Sequence, residues 1–287
     1  MHFSNLLDRT TNRETKSRST RQYNNTLQAT EERMKTETCT KEKEDVLERP
    51  FSTNEIIRLY LLILLIYPLV LGGMFLLGAY FHSYPTFPPT PWYGFWVAVS
   101  GYTCVGIVMM TLLLDRPRLV RQRMSKVLPT QNETSKGERD FYKLTSPIFF
   151  VGMIGMGYDG SQRRDTFPHI VIWLSLIPFA SAMMWILWVM RCNKYAARIV
   201  FVQKDQKLIT TGPYAVVRHP MYMGIIPLFL SLPLVVGSVW PILPMMVCIV
   251  LMGIRTYSEE EFLIQTFGEE YQQYRTKVPY RMIPWIF

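Results

Sequence analysis

Two stretches hold the residue types that could do chemistry. The first runs Thr211-Gly212-Pro213-Tyr214-Ala215-Val216-Val217-Arg218-His219-Pro220-Met221-Tyr222-Met223-Gly224. It carries one of the chain's four histidines, with a cation before it, a proline after it and tyrosines on both sides. The second begins at Arg255 and includes three consecutive acids, Glu259, Glu260 and Glu261. Imidazole and backbone N–H groups can donate to anions or ring nitrogens, carboxylates accept from cationic groups, and tyrosine faces attract cations. Each stretch also has a plainer reading. Arg and Tyr beside a helix-opening proline make a membrane-interface girdle. Arg255 and Glu259, four apart on one helix face, make a salt-bridged amphipathic helix lying on the membrane. Three acids in a row beside an anionic membrane favour a cationic partner.

The elements that must position these residues are apolar blocks. Apolar residues make up 49% of the chain, and they cluster in runs rather than spreading at amphipathic spacing, the pattern of a polytopic membrane protein. The runs are 56–81, 92–114, 144–157, 167–190 and 225–254. The last is long for one tilted helix, and Pro227, Pro233, Gly237-Ser238 and Pro241 interrupt it, so it reads as a helical hairpin turning near Gly237-Ser238. After it, Phe262, Leu263 and Phe267 repeat at helical spacing, and Gly268 closes that helix. The expectation is an all-α bundle of about six spans. Residues 1–50 are expected to be a disordered polar extension, 51–198 the first spans, and 199–287 the functional region.

Charge sets the orientation. The net charge is +9, but Lys and Arg sit beside apolar blocks, where they set topology and attract anionic headgroups, so no nucleic-acid partner is expected. The stretch 115–143 holds Arg116, Arg118, Arg121, Arg123, Lys126, Lys136, Arg139 and Lys143 and reads as a cytoplasmic loop. Both termini fall on that same side. Cys39, Cys104, Cys192 and Cys248 lie too far apart for a zinc or disulfide framework. A G-x-G-x-x-G occurs at Gly155-Met156-Gly157-Tyr158-Asp159-Gly160, but with the polar run 161–165 after it rather than a helix it fails the dinucleotide context. Its glycines, with Gly152, suit close helix contacts in lipid.

Taken together, the two stretches read G-P-Y-x-x-x-R-H-P-x-Y-x-G, then an apolar run, then R-x-x-x-E-E-x-x-L-x-x-x-F-G-x-x-Y. This resembles the integral-membrane methyltransferases, which include isoprenylcysteine carboxyl methyltransferase and the phospholipid methyltransferases. The resemblance is close over 199–287 and loose upstream. It implies S-adenosyl-L-methionine as cofactor, held by Tyr214, His219, Pro220, Met221, Tyr222, Glu259 and Glu260, with Gln206, Lys207, Leu208 and Ile209 as further contacts. It implies that Arg255 faces a substrate carboxylate; the alternative is that Arg255 pairs with Glu259 and only shapes the pocket. No metal or catalytic triad is expected. The implied activity is carboxyl methylation of a lipid or lipidated acceptor among membrane lipids at the cytoplasmic face, in the endoplasmic reticulum of a eukaryote or the plasma membrane of a prokaryote. The alternatives are phospholipid amine N-methylation, thiol S-methylation, an NADPH-dependent sterol-type reductase and a non-enzymatic scaffold.

Overall fold

The computed structural model describes residues 48–83, 92–124, 136–163, 166–193 and 207–287. Nearly all of the N-terminal extension, part of the Arg-rich stretch and Gln206 lie outside these residues. The chain divides into two units, Met1–Arg49 and Pro50–Phe287, and the helices that build the site lie in the second.

Ser52 opens the first helix with a capping box, its hydroxyl accepting from Glu55 N while the Glu55 carboxylate accepts from Ser52 N; two orphan donors are thereby satisfied. Helix α1 (Thr53–Leu61) passes through a π-helical turn (Leu62–Ile66) into α2 (Tyr67–Ser83). Pro68 explains the turn. It cannot donate to the helical ladder, and the wider π turn immediately before it absorbs the missing bond without ending the helix.

Next come α3 (Tyr93–Leu113), α4 (Pro117–Met124), α5 (Lys136–Gln162) and α6 (His169–Cys192). A 3-10 turn (Gly212–Ala215) leads to α7 (Pro220–Val236), α8 (Ile242–Phe267) and α9 (Glu269–Lys277). Among the described residues there is no strand.

Four segments are long and apolar enough to cross a membrane: Thr53–Phe81, Tyr93–Leu113, His169–Cys192 and Ile242–Phe267. The two other members of the expected six differ. Helix α7 is apolar but only 17 residues long, about 25 Å. Helix α5 is long enough but begins in charged sequence. Large apolar side chains such as Leu69, Trp173, Ile177 and Val250 face outward, which suits lipid, while Phe75, Phe95, Met156, Phe179, Val236 and Met245 make the shared core.

The hairpin turns where expected: Gly237 caps α7 in the left-handed region at φ +81, where glycine carries no Cβ penalty. Two details differ from the sequence reading. The part of 115–143 that is described is largely helical, as α4 and the start of α5. The G-x-G-x-x-G run lies inside the last turns of α5, which reaches Gln162, and its glycines pack helices as expected. A Cβ on Gly157 would stand 1.9 Å from the Phe75 carbonyl oxygen, and one on Gly78 1.9 Å from that of Ile154. Helices α2 and α5 thus touch backbone to backbone.

Candidate active site

Helix α8 continues past its apolar part without a break, so Arg255, Glu259 and Glu260 extend from the same rod that forms the hairpin. Gly268, at φ +54, separates it from α9. The polar end of α8 therefore meets the start of α7, where Pro220 occupies the first helical turn and His219 the N-cap. Proline fits there because that turn's N–H groups have no helical acceptor.

Two segments pin the His-Pro stretch from outside. The backbone N–H groups of Arg218 and His219 donate to the carbonyls of Tyr280 (3.0 Å) and Arg281 (2.8 Å). Trp185 Nε1 of α6 donates to the Pro220 carbonyl at 2.7 Å.

Glu260 is the hub. Its side chain is buried, and its Oε1 accepts from Arg218 Nε at 2.7 Å while Oε2 accepts from Arg281 Nε at 3.2 Å. Arg275 Nε stands 3.8 Å from the same Oε2. Arg218 Nη1 also donates to the carbonyls of Val278 and Pro279, each at 2.7 Å. A buried guanidinium is tolerated when its donors find a carboxylate and carbonyls in this way. His219 Nε2 lies 3.4 Å from Glu260 Oε1 but is not aligned for a hydrogen bond, and this buried nitrogen has no hydrogen-bond partner.

Glu259 faces the other way. Its Oε2 accepts from the Tyr222 hydroxyl at 2.7 Å, and Tyr222 stacks on the His219 ring, centroids 5.6 Å apart and planes 9° apart. Arg255, one turn earlier on α8, lies over three rings: Phe141 at 4.7 Å, Tyr142 at 5.3 Å and Tyr222 at 5.9 Å.

Tyr214 joins from the 3-10 turn. Its hydroxyl accepts from Asn193 Nδ2 at 2.8 Å, and its carbonyl accepts from the Tyr274 hydroxyl at 2.7 Å. Tyr271 and Tyr274 of α9 pack with Val278 against Leu208. Burial pushes both phenols above their ordinary range, the Glu260 charge adding at Tyr271 and the Tyr271 phenol at Tyr274, so they stay neutral donors. The buried Tyr271 hydroxyl, like His219 Nε2, has no hydrogen-bond partner.

Of the residues expected at the site, His219, Tyr222, Arg255, Glu259 and Glu260 come together, and Tyr214 and Leu208 join through α9. Pro220 shapes the α7 entry. Ile209 is half-buried, Lys207 is exposed, and Met221 packs toward the cluster of Leu113, Leu187 and Met190. Gln206 lies outside the described residues. Sequence reasoning left out Arg218, Arg275, Arg281 and Tyr274. Arg218 carried a signal: a glutamate buried at the α7–α8 junction requires a cation, and the arginine of the Arg-His-Pro run was at hand. The carbonyl acceptors at 278–281 left no trace in side-chain types.

With this geometry in view, comparisons with known proteins become informative. Residues 170–270 match the sequence model of the phospholipid methyltransferase family. The Schizosaccharomyces pombe protein-S-isoprenylcysteine O-methyltransferase is 40% identical over 77 residues, 26% of this chain and 33% of that protein. The matched segment takes in α6 to α8, the Arg-His-Pro stretch and both glutamates. It is also similar to sterol reductases: the Delta(14)-sterol reductase of Mus musculus is 32% identical over 84 residues, 29% of this chain and 20% of that enzyme. The Delta(14)-sterol reductase of Methylotuvimicrobium alcaliphilum is 30% identical over 93 residues, 32% and 22% of the two chains. The chain therefore spans a third or less of the length of these curated relatives. Among solved structures, the eukaryotic intramembrane Ras methyltransferase (isoprenylcysteine carboxyl methyltransferase) aligns with 76% of this chain and 74% of its own, at 18% identity and a TM-score of 0.44.

Proposed function

We propose that this chain transfers a methyl group from S-adenosyl-L-methionine to the carboxylate of a lipid-like acceptor, of the isoprenylcysteine type. The observation that carries this reading is the meeting of Glu259, Tyr222 and His219 with Arg255 one helical turn away. A carboxylate, an aromatic face and an imidazole suit a ligand that is cationic at one end and carries an adenine at the other. A guanidinium beside them suits an anionic acceptor.

The residues present fit that cofactor. Glu259 would accept from its ammonium or ribose, Tyr222 and Tyr214 would face the adenine or the sulfonium, and His219 Nε2 would donate to, or accept from, a polar atom. When bound, it supplies an electrophilic methyl on a sulfonium sulfur, so that an acceptor oxygen gains a bond to carbon as the carbon–sulfur bond breaks and its electron pair stays on the neutral sulfur. The protein's part is position: Arg255 orients the acceptor, Glu259 and Tyr222 fix the donor side, and the two are held in line. An ionised carboxylate needs no base, so the reaction asks the protein for orienting groups. By the basic character of 115–143, the site would open on the cytoplasmic side.

Membranes containing the protein, supplied with labelled S-adenosyl-L-methionine, are offered a farnesylated cysteine analogue, phosphatidylethanolamine and a small thiol. Label in the cysteine analogue, lost with Glu259→Gln, is the expected result. Label in phosphatidylethanolamine or the thiol replaces the acceptor. The sterol reductase matches favour a second reading, an NADPH-dependent reductase. A thermal shift with NADPH and none with S-adenosyl-L-methionine would establish it and overturn methyl transfer.

A further inference from the structure

The segment after α9 leaves two large apolar side chains outside the protein. Trp285 is 85% exposed and Ile286 80% exposed, and they are neighbours on a closed turn. The N–H groups of Met282 and Ile283 donate to the Phe287 carbonyl, and those of Ile286 and Phe287 donate to the Ile283 carbonyl, at 2.9–3.2 Å. A turn that spends its own amides in this way can lie where water is scarce. Trp285 stands at its tip with φ +63, a left-handed conformation that a bulky residue keeps only where the surroundings over-determine it.

The turn is built onto the outward side of α8. Leu243, Met246, Val247, Val250, Ile254 and Tyr257 are exposed and recur at helical spacing, one apolar stripe along the rod. Phe287 closes on the end of that stripe. Its ring is 6.2 Å from that of Tyr257, and a Cβ on Gly253 would touch it at 3.8 Å. From Ile242 to Tyr257 the helix rises about 22 Å. With exposed Trp240 just before it and Trp285 beyond its far end, the rod has an aromatic residue at each limit of a span near the hydrocarbon thickness of about 30 Å. The turn is also joined to the site. Arg281 lies over the Tyr257 ring at 3.7 Å and the Phe287 ring at 5.5 Å, while its Nε donates to Glu260 and its carbonyl accepts from His219 N. We propose that Trp285 and Ile286 form an interfacial anchor: they enter the lipid leaflet at the polar end of α8 and, through Arg281 and the carbonyls of 280 and 281, hold the histidine loop in place. The partner is the leaflet itself, because the pair continues a surface that α8 already turns to lipid. The inference goes beyond the methyl-transfer reading and holds whichever group the site transfers.

The test uses the full chain in lipid nanodiscs, with two readouts that need no substrate. The fluorescence of Trp285 is taken as the difference between wild type and Trp285→Phe. That difference is expected to be quenched by phosphatidylcholine brominated on the upper part of its acyl chains and to resist acrylamide in the water. Hydrogen exchange then follows the amides of Arg218 and His219. In the Trp285→Ser, Ile286→Ser double variant these are expected to exchange about tenfold faster, as the anchor's apolar burial is lost. The amides of Val239 and Trp240, bonded to Asp159 at the other end of the hairpin, keep their wild-type rates, and Trp285→Phe, Ile286→Leu keeps wild-type rates throughout. Quenching of Trp285 by acrylamide and not by the brominated lipid overturns the proposal, because the pair then stays in water. Shielding from both overturns it in favour of a protein contact, as with a second copy of this chain. Unchanged exchange at 218 and 219 in the serine variant, or equal acceleration at 239 and 240, overturns the link to the histidine loop. Should the double variant fail to insert, the exchange is read on Ile286→Ser alone by the same criteria.

Discussion

Two buried carboxylates bracket the α7–α8 hairpin, and they are built in opposite ways. Asp159, near the end of α5, sits at the turn. Its Oδ2 accepts from Ser238 Oγ (3.0 Å), Val239 N (2.7 Å) and Trp240 N (3.3 Å), while Oδ1 accepts from Arg163 Nε at 2.9 Å. Every bond is local to one turn and one helix end, and Trp92 Nε1 closes the same corner on the Val236 carbonyl at 2.6 Å. Glu260, at the open end, draws its partners from three distant places: Arg218 before α7, Arg275 on α9 and Arg281 beyond it. Among the described residues Glu260 meets three guanidiniums, whereas Asp159 meets one. The first arrangement fastens a fold. The second gathers segments around a surface that still has polar atoms to offer, at His219 Nε2 and the Tyr271 hydroxyl.

Removing each carboxylate separates the two roles. Glu260→Ala strands the buried Arg218 and is expected to cost about 3–5 kcal/mol, read as a fall in thermal unfolding temperature in detergent together with loss of cofactor-induced stabilisation. Asp159→Asn turns an amide N–H toward existing donors and costs about 1–3 kcal/mol, but the shift produced by S-adenosyl-L-methionine stays as in the wild type. A loss of that shift in Asp159→Asn would merge the two ends into one functional unit. The smallest effects sharpen the contrast within α9. Tyr274→Phe removes a bond to the Tyr214 carbonyl and costs about 1 kcal/mol, while Tyr271→Phe deletes a hydroxyl without a partner and leaves stability equal or higher. A cost at Tyr271 equal to that at Tyr274 would show that its hydroxyl is engaged after all.

Much of this architecture was legible in the residues themselves. Gly237 and Gly268 mark their turns because each needs a backbone conformation that side chains disfavour, and the apolar runs gave the long helices because hydrophobic length is a local property. Two features escaped for physical reasons. The apolar run was set at 144–157, whereas α5 continues to Gln162; glycine and Asp159 are poor helix formers, and backbone contact with α2 and the hairpin turn offset that weakness. The division of labour between Glu259 and Glu260 was also hidden. Adjacent positions on a helix point about 100° apart, and only the packing of α9 and the following segment decides which of the two is enclosed. At the site, the residue types were readable in advance, and the partners that are backbone carbonyls were not.

The pairing of Arg218 and His219 with the carbonyls of Tyr280 and Arg281 also bears on biosynthesis. The hairpin can form within the translocation machinery as soon as α8 has been made, yet the histidine loop keeps two unsatisfied amides until residues 280 and 281 emerge. Assembly of this junction is therefore a late event, separate in time from insertion. A message that stops short of these codons would yield a protein lodged in the bilayer with its hairpin made and the Arg218 and His219 amides still without those carbonyls.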